Sequence, residues 1–309
     1  MPRSAPRRVI LAANPYSGHG PTVQRVDMLT AALRARNLEA QVVWQPAERA
    51  AALAAAAPGT TVVAVGGDGT VAAVINELAP ESTLAVFPAG NENLFARALG
   101  FPDDAVGLAT SVAAGVTHAV DLGRATSTAG GSMRTRLFGL MLSAGFDADV
   151  AHRLARWRAD GPMLRRVRRR SYVQPVAAAL LSYRHPVMSV SVDDGTLRAA
   201  WCLVANVRAY AFGLCLTARG RPDDGRLDWA IVERAGVGAL ARYAWAARGG
   251  RLRSCAGTRA GTTARMRIHS ATPVPVQLDG DAWGVTPVAV ETVPGALTVL
   301  SCRPLPGGG

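Results

Sequence analysis

Gly66-Gly67-Asp68-Gly69-Thr70 sets one carboxylate and one hydroxyl in a run of glycines, and that combination suits chemistry on phosphate. Glycines let a backbone approach a ligand closely, and the N–H groups at a turn and a helix start attract negative charge. A tight turn with no ligand would also use the glycines, but it has no need of an aspartate between them. Two further polar loops share this character: Asn14-Pro15-Tyr16-Ser17-Gly18-His19-Gly20 and Gly90-Asn91-Glu92-Asn93. Later in the chain stand Asp194-Gly195, Asp224-Gly225 and Asp279-Gly280-Asp281. On sequence alone each of these reads as a hairpin turn.

The elements around these loops place them. Val62–Val65 is a β-branched run of the kind buried on both faces of a sheet, and an apolar segment at helical spacing follows from Val71 to Leu78. Arg8–Ala13, Glu39–Trp44 and Leu84–Phe87 read as further strands, with helices over Pro21–Arg36, Glu48–Ala57, Leu94–Leu99 and Pro102–Ala114 and a last strand at His118–Leu122. Strands alternating with helices predict a doubly wound, mostly parallel sheet. All three polar loops follow strands, so they converge where such sheets hold ligands, outside the carboxyl ends. From Gly123 the texture turns to β, with strands at 137–143, 187–192, 198–207, 227–232, 264–269, 274–278, 287–291 and 296–300. Helical pieces interrupt them near 148–157, 171–183 and 236–247. The expected organisation is an α/β nucleotide-binding domain over residues 1–122, an antiparallel, β-sandwich-like acceptor domain over 123–302, and a flexible tail at 303–309. The Gly/Ser/Thr-rich stretch Thr126–Ser132 is expected to be mobile.

Composition narrows the function classes. The chain has 309 residues and a net charge of +12, which favours an anionic partner. Its 34 basic residues are all Arg, so a lysine-dependent phosphate loop of the G-x-x-x-x-G-K-[ST] type is excluded. Cys202, Cys215, Cys255 and Cys302 are scattered, which argues against a structural zinc site and for packing as small apolar residues in a reducing compartment. No segment reaches the roughly 18 continuous apolar residues of a membrane span, and the N-terminal apolar run is too short for a signal-peptide core. The expected location is cytoplasmic, with peripheral contact at the inner face of the membrane left open.

Taken in order, Asn14-Pro15-x-Ser17-Gly18, Gly66-Gly67-Asp68-Gly69-Thr70, Pro88-x-Gly90-Asn91-x-Asn93, Val120-Asp121-Leu122-Gly123, Gly145-Phe146-Asp147-Ala148, Asp224-Gly225-x-Leu227-Asp228 and Asp279-Gly280-Asp281 resemble the diacylglycerol kinase catalytic-domain family, in particular its soluble bacterial lipid kinases. The resemblance runs from about Arg8 to Leu300; NAD kinases are similar in the first domain only. It implies ATP-dependent phosphorylation of a lipid hydroxyl, with the nucleotide between the two domains. ATP would be held by Asn14, Pro15, Ser17, Gly18, Gly66, Gly67, Asp68, Gly69, Thr70, Gly90, Asn91 and Asn93. Asp68 and Asp121 would belong to a Mg²⁺–water network, and Asp281 would be the general base. A second, structural Mg²⁺ would sit on Asp224 and the carbonyls of Arg221 and Arg226. These assignments agree with the chemistry of the residues: Mg²⁺ takes hard oxygen ligands, and phosphoryl transfer needs positioning and charge neutralisation more than covalent help.

The chain departs from its relatives at defined places. Ala72 and Ala73 stand where the family usually carries Asn-Glu, Leu94 where it carries Asp, and Asp281 where it carries Glu; Glu92 is a nearby carboxylate. Two alternatives therefore accompany the lipid-kinase reading: an ATP-binding sensor or scaffold without turnover, and a kinase of a soluble acceptor such as NAD. The basic stretch Arg153–Arg170, with Leu154, Trp157, Met163, Leu164 and Val167 among its arginines, suits an anionic bilayer surface as well as it suits a solvated face. No nucleic-acid-binding signature is evident, and a homodimer is compatible with the sequence.

Overall fold

The structure is a computed structural model that describes residues 7–17, 22–159, 171, 173–184, 186–193, 195–208, 220–234, 236–249, 251 and 255–302. The chain divides into two compact units, one made of Met1–Val120 with Ala296–Gly309 and the other of Asp121–Gly295.

The first unit alternates strand and helix: β1 (Arg7–Ala13), α1 (Thr22–Arg34), β2 (Leu38–Val43), α2 (Pro46–Ala54), β3 (Thr61–Gly66), α3 (Asp68–Glu77), β4 (Thr83–Pro88), α4 (Leu94–Leu99) and α5 (Ala105–Ala114). The strands lie in the order β2-β1-β3-β4 and pair in parallel. Val62 to Val65 are buried on both faces, as the β-branched run predicts. One side of the sheet carries α1 packed on α5, and α2 packs on α3. In α1 the buried residues are Thr22, Val26, Leu29 and Leu33, an i, i+4, i+7, i+11 stripe. From β1 the chain steps to one side for β2 and returns to the other side for β3. The carboxyl ends of β1 and β3 therefore form the topological switch point, where open α/β sheets place their ligands.

The second unit starts within β5 (Thr117–Ser127) and continues through β6 (Arg134–Phe138), β7 (Met141–Ala144), α6 (Phe146–Ala159), α7 (Val173–Ser182), β8 (Met188–Val192), β9 (Gly195–Ala199), β10 (Trp201–Ala205), β11 (Leu227–Val232), α8 (Val237–Arg248), β12 (Thr258–Thr263), β13 (Arg265–Ser270), β14 (Pro275–Leu278), β15 (Asp281–Val285) and β16 (Val288–Leu300). The strands β12-β11-β10-β7-β14-β15 form one antiparallel sheet and β16-β13-β8-β9 another. Residues of both, among them Leu142, Met188, Ile268, Val276 and Leu278, share one core, which makes the unit a sandwich. The α6 helix packs on β14 and β15 and carries α7.

Several expected elements change. The strand expected at 137–143 is broken at Gly139-Leu140 into β6 and β7, because the Asp279 carboxylate takes the N–H groups of Gly139, Leu140 and Met141. The strand expected at 198–207 breaks at Ala200, whose N–H donates to the Val232 carbonyl. The two strands expected at 287–291 and 296–300 are one, β16: its start pairs with β13, and Thr298 and Val299 pair in parallel with Thr83 and Leu84 of β4. Thr126 and Ser127, expected in a mobile stretch, are paired with Thr135 and Arg134 of β6. The polar, glycine-bearing β12, TRAGTT, shows no apolar alternation and was not expected.

Candidate active site

The site in the first unit is built from backbone. The glycine loop is shorter than its sequence suggests: Gly67 is the cap of α3, and Asp68, Gly69 and Thr70 form the helix's first turn instead of a loop before it. The Gly67 carbonyl accepts the N–H groups of Thr70 and Val71 at 2.9 and 3.2 Å. The Asn14 N–H donates to Val65 O (3.1 Å) and its side-chain Nδ2 to Thr70 Oγ1 (3.4 Å), so the first two loops are tied together. Asn14 Oδ1 also receives the Tyr16 N–H, and the Asn14 carbonyl receives that of Ser17. Gly67 and Gly90 touch through their backbones: a Cβ on Gly90 would run into Gly67 Cα and come within 2.8 Å of Asn93 Oδ1. A Cβ on Gly66 would collide with the Thr70 side chain. Asn93 holds the third loop in shape from a left-handed conformation (φ 48°), accepting the Gly90 N–H at 2.8 Å and donating to its carbonyl at 3.0 Å. The sequence-predicted residues Asn14, Ser17, Gly66 to Thr70, Gly90 and Asn93 are thus brought to one sheet edge, with Pro15 in the turn and Asn91 exposed on the third loop. Gly18 lies outside the described residues.

Asp68 is the charged group of this cradle. Its Oδ1 accepts the Phe95 N–H at 3.0 Å, yet burial, with the neighbouring Glu92 charge adding to it, holds the carboxyl above the ordinary carboxylate value. A half-buried acid under that pressure fits a cation partner, which would favour its ionised form. Beside the third loop lies a cavity of about 690 Å³, lined by Thr22, Arg25, Pro88, Asn93 and Arg97 among others. Arg25 is stacked over the Phe87 ring and donates to the carbonyls of Pro88 and Asp103. Sequence reasoning passed over it as one more helical arginine.

The second unit contributes carboxylates. Asp279 and Gly280 both take positive φ (50° and 89°) and join β14 to β15 as a two-residue hairpin of the I′ kind. Asp279 is structural: its oxygens receive the N–H groups of Gly139, Leu140 and Met141 at 2.8–2.9 Å. Asp281, the first residue of β15, reaches outward, 45% exposed, and its Oδ2 is 3.1 Å from Arg136 Nη2. The turn is braced from within. Trp201 Nε1 and Ser143 Oγ both donate to Asp147 Oδ1 at 2.7 Å; Gln277 Nε2 donates to Ser143 Oγ at 2.9 Å; the Gly280 N–H donates to Gln277 Oε1 at 2.7 Å. Ser143 and Gln277 are buried, so the network lies in low dielectric, where each bond counts for more. Sequence analysis missed Gln277; the available signal was a glutamine between Val276 and Leu278 in an otherwise apolar strand. Burial and the charge of Asp147 push the Cys202 thiol up to about 12, which keeps it a packing residue.

Asp121 is more tied down than its expected metal role suggests. Its Oδ1 accepts the Gly295 N–H at 2.8 Å and its Oδ2 the Gly225 N–H at 2.6 Å, while its own N–H donates to the Pro222 carbonyl. Each oxygen keeps a second lone pair, enough for a water-mediated metal contact. Arg221, Asp224 and Arg226 lie in the same short turn, where Asp224 Oδ1 takes the Arg226 N–H at 3.0 Å and the Arg221 side chain pairs with Asp223. Among the described residues no group of three or more His, Cys, Asp or Glu side chains forms a metal cluster. A cation here would depend on carbonyls, phosphate and water.

The comparisons with known proteins follow these landmarks. The diacylglycerol kinase catalytic domain matches residues 8–125, and the YegS C-terminal NAD kinase β-sandwich-like domain matches residues 140–301. The diacylglycerol kinase of Bacillus subtilis (strain 168) is 42% identical over 85 residues, a match covering 25% of this chain and 28% of that protein. A protein of Stenotrophomonas maltophilia (strain K279a) named "Probable lipid kinase YegS-like" is 28% identical over 295 residues, covering 88% of this chain and 89% of the relative. The crystal structure of a diacylglycerol kinase from Bacillus anthracis str. Sterne superposes with a TM-score of 0.67 at 18% identity over 97% of both chains, a likeness of fold. The ordered loops, the parallel sheet and the sandwich therefore have one common source: the chain belongs to the diacylglycerol kinase catalytic domain family, in its YegS-like branch.

Proposed function

We propose that this protein transfers the γ-phosphate of ATP to a hydroxyl of diacylglycerol or a related membrane lipid. The observation that carries the reading is the pair of glycine backbones in contact, Gly67 against Gly90, at the switch point of a parallel sheet. No side chain fits between them, and the amide groups around them present positive dipoles without any lysine. Asn14, Ser17, Thr70, Asn91 and Asn93 supply the remaining polar contacts to the phosphates. Bound Mg²⁺ would neutralise charge on the transferring phosphoryl group; Asp68 and Asp121 are the acids that would belong to its water network. The Arg221–Arg226 turn would hold a structural ion on Asp224 and backbone carbonyls. Asp281 accepts the proton of the acceptor hydroxyl as its oxygen bonds to the γ-phosphorus and ADP leaves. Arg136 keeps that carboxylate aimed.

The departures at Ala72, Ala73 and Leu94 act on polar contacts around the loops and leave the glycine cradle intact. Ala72 and Leu94 are buried apolar residues of the first unit, and the neighbouring carboxylate is that of Glu92, whose charge acts on Asp68. The test is purified protein with Mg-ATP and a panel of detergent-dispersed lipids. Phosphorylated lipid is the expected product. Nucleotide binding without turnover on any lipid would establish the sensor reading instead, and turnover of NAD would establish the soluble-acceptor one.

A further inference from the structure

The α7 helix is apolar on the wrong side. It packs Pro175 and Ala179 inward, against a neighbour that is α6. A helix placed so on a protein surface ordinarily turns polar residues to water. Here Val173 is 68% exposed and Leu181 88%, with Ala177 exposed between them and Leu180 half-buried beside them. Positions 173, 177 and 181 fall on one stripe by their i, i+4, i+8 spacing. The helix carries no charge in its ten residues, VQPVAAALLS. Its polar residues are Gln174, exposed beside Val173, and Ser182, which is also exposed and donates to the Ala178 carbonyl while accepting from Arg153.

The described charges that flank this stripe and are exposed are cationic: Arg156 and Arg158 at the end of α6 and Arg184 just beyond α7; residues 160–170, with Asp160 as well as Arg165, Arg166, Arg168, Arg169 and Arg170, lie outside the described residues. Arg153 is not among the available ones, because its Nε is held by Asp149 at 2.6 Å. On α6 and α7 the described acids are Asp147, which accepts from Trp201 and Ser143, and Asp149, which is buried and paired with Arg153. An apolar strip rimmed by arginines matches an anionic bilayer: the strip enters the acyl boundary and the guanidiniums meet the headgroups. A ten-residue helix is too short to cross, since a span needs about 20 residues, so it lies in the interface.

We infer that the Val173–Ala177–Leu181 face of α7 is a membrane-insertion surface that seats the protein on an anionic leaflet. The choice of a bilayer over another apolar partner rests on the lipid-kinase reading. The geometry of the stripe does not.

The experiment uses the full chain with vesicles of phosphatidylglycerol and phosphatidylcholine, and with phosphatidylcholine alone. The parent protein is expected to sediment with the anionic vesicles and much less with the neutral ones. The double variant Val173→Asn with Leu181→Asn is expected to lower the bound-to-free ratio about thirtyfold. A second variant, Leu181→Trp, should show emission that brominated phospholipids quench beyond the quenching of the parent's own tryptophans. Equal sedimentation of the double variant and the parent would overturn the inference, as would no added quenching in Leu181→Trp. A parent that self-associates through this face, with the double variant monomeric, would overturn it too by showing a second copy as the occupant. Turnover of detergent-dispersed lipid, which none of these variants should change, separates this question from the proposed activity. If turnover is absent while vesicle binding is lost in the variant, the kinase reading fails and this one stands.

Discussion

The glycine loops of the first unit and the Asp279–Asp281 hairpin of the second handle charge in opposite ways. In the loops, positive potential comes from amide groups of the main chain, and the side chains that matter are those left off: a Cβ has no room at Gly66 or Gly90 and would be tight at Gly67, 3.1 Å from Gly90 Cα. In the hairpin, negative charge is supplied by side chains, and the backbone's work is to tie one of them down. Asp279 accepts three N–H groups, whereas Asp281, two residues on, is left half in solvent against Arg136. Identical residues in one motif thus divide into a folding part and, on the function proposed above, a reacting part. The number of backbone donors aimed at each carboxylate tells which is which.

That division can be broken experimentally. Asp281→Asn should lower lipid phosphorylation by about 10²–10⁴-fold, the usual worth of a general base, while the urea midpoint shifts little, since a half-exposed ion pair contributes about 1 kcal/mol or less. Kinetics on detergent-dispersed lipid and equilibrium unfolding measure both sides. Unchanged turnover would remove Asp281 as the base. Asp279→Ala should do the reverse at the level of the fold. Three buried N–H groups lose a charged acceptor, so about 3–4 kcal/mol of stability should be lost by urea titration. A loss no larger than that of Asp281→Ala would erase the distinction.

Gly90→Ala sharpens the other half of the comparison. The new methyl must push the third loop off Gly67, which should cost about 1–3 kcal/mol and weaken nucleotide binding disproportionately, as isothermal titration with ATP would show. Gly238→Ala, in α8 and outside the loops, where a Cβ meets nothing within 4 Å, is the control and should bind normally. Asp68→Asn gives the smallest and most diagnostic shift. Because burial raises the Asp68 pKa, the protonated form suits the fold: this group adds stability below the ordinary carboxylate value and loses it as pH rises through the raised one. The variant should therefore melt slightly higher than the parent at neutral pH, with the difference vanishing in acid, while binding of Mg-nucleotide falls. A lower Tm at neutral pH would contradict the assignment of burial as the dominant cause.

Much of the first unit was legible because its signals are local. The β-branched run at 62–65, the i, i+4, i+7 stripe of α1 and the loops after each strand follow from neighbours in sequence. The second unit resisted. The break between β6 and β7 is made by Asp279, about 140 residues away in sequence, and β12 is an edge strand whose only buried residue is Thr263, so no apolar alternation marks it. The family resemblance likewise implied Asp121 as a metal residue but could not show that each of its oxygens accepts a backbone N–H, from Gly225 and Gly295.

The sequence by itself determined the alternation of elements, the identity of the three loops, the absence of a phosphate-binding lysine and the family to which the chain belongs. These are properties of residue type and short spacing. Tertiary structure decided the rest: that α3 begins at Asp68, that Gly67 and Gly90 meet, that Asp279 is a strut, and that α7 turns its apolar stripe outward. Each of these depends on which distant backbone donors, methyl groups and ring faces arrive at one place, and only the folded chain sets that.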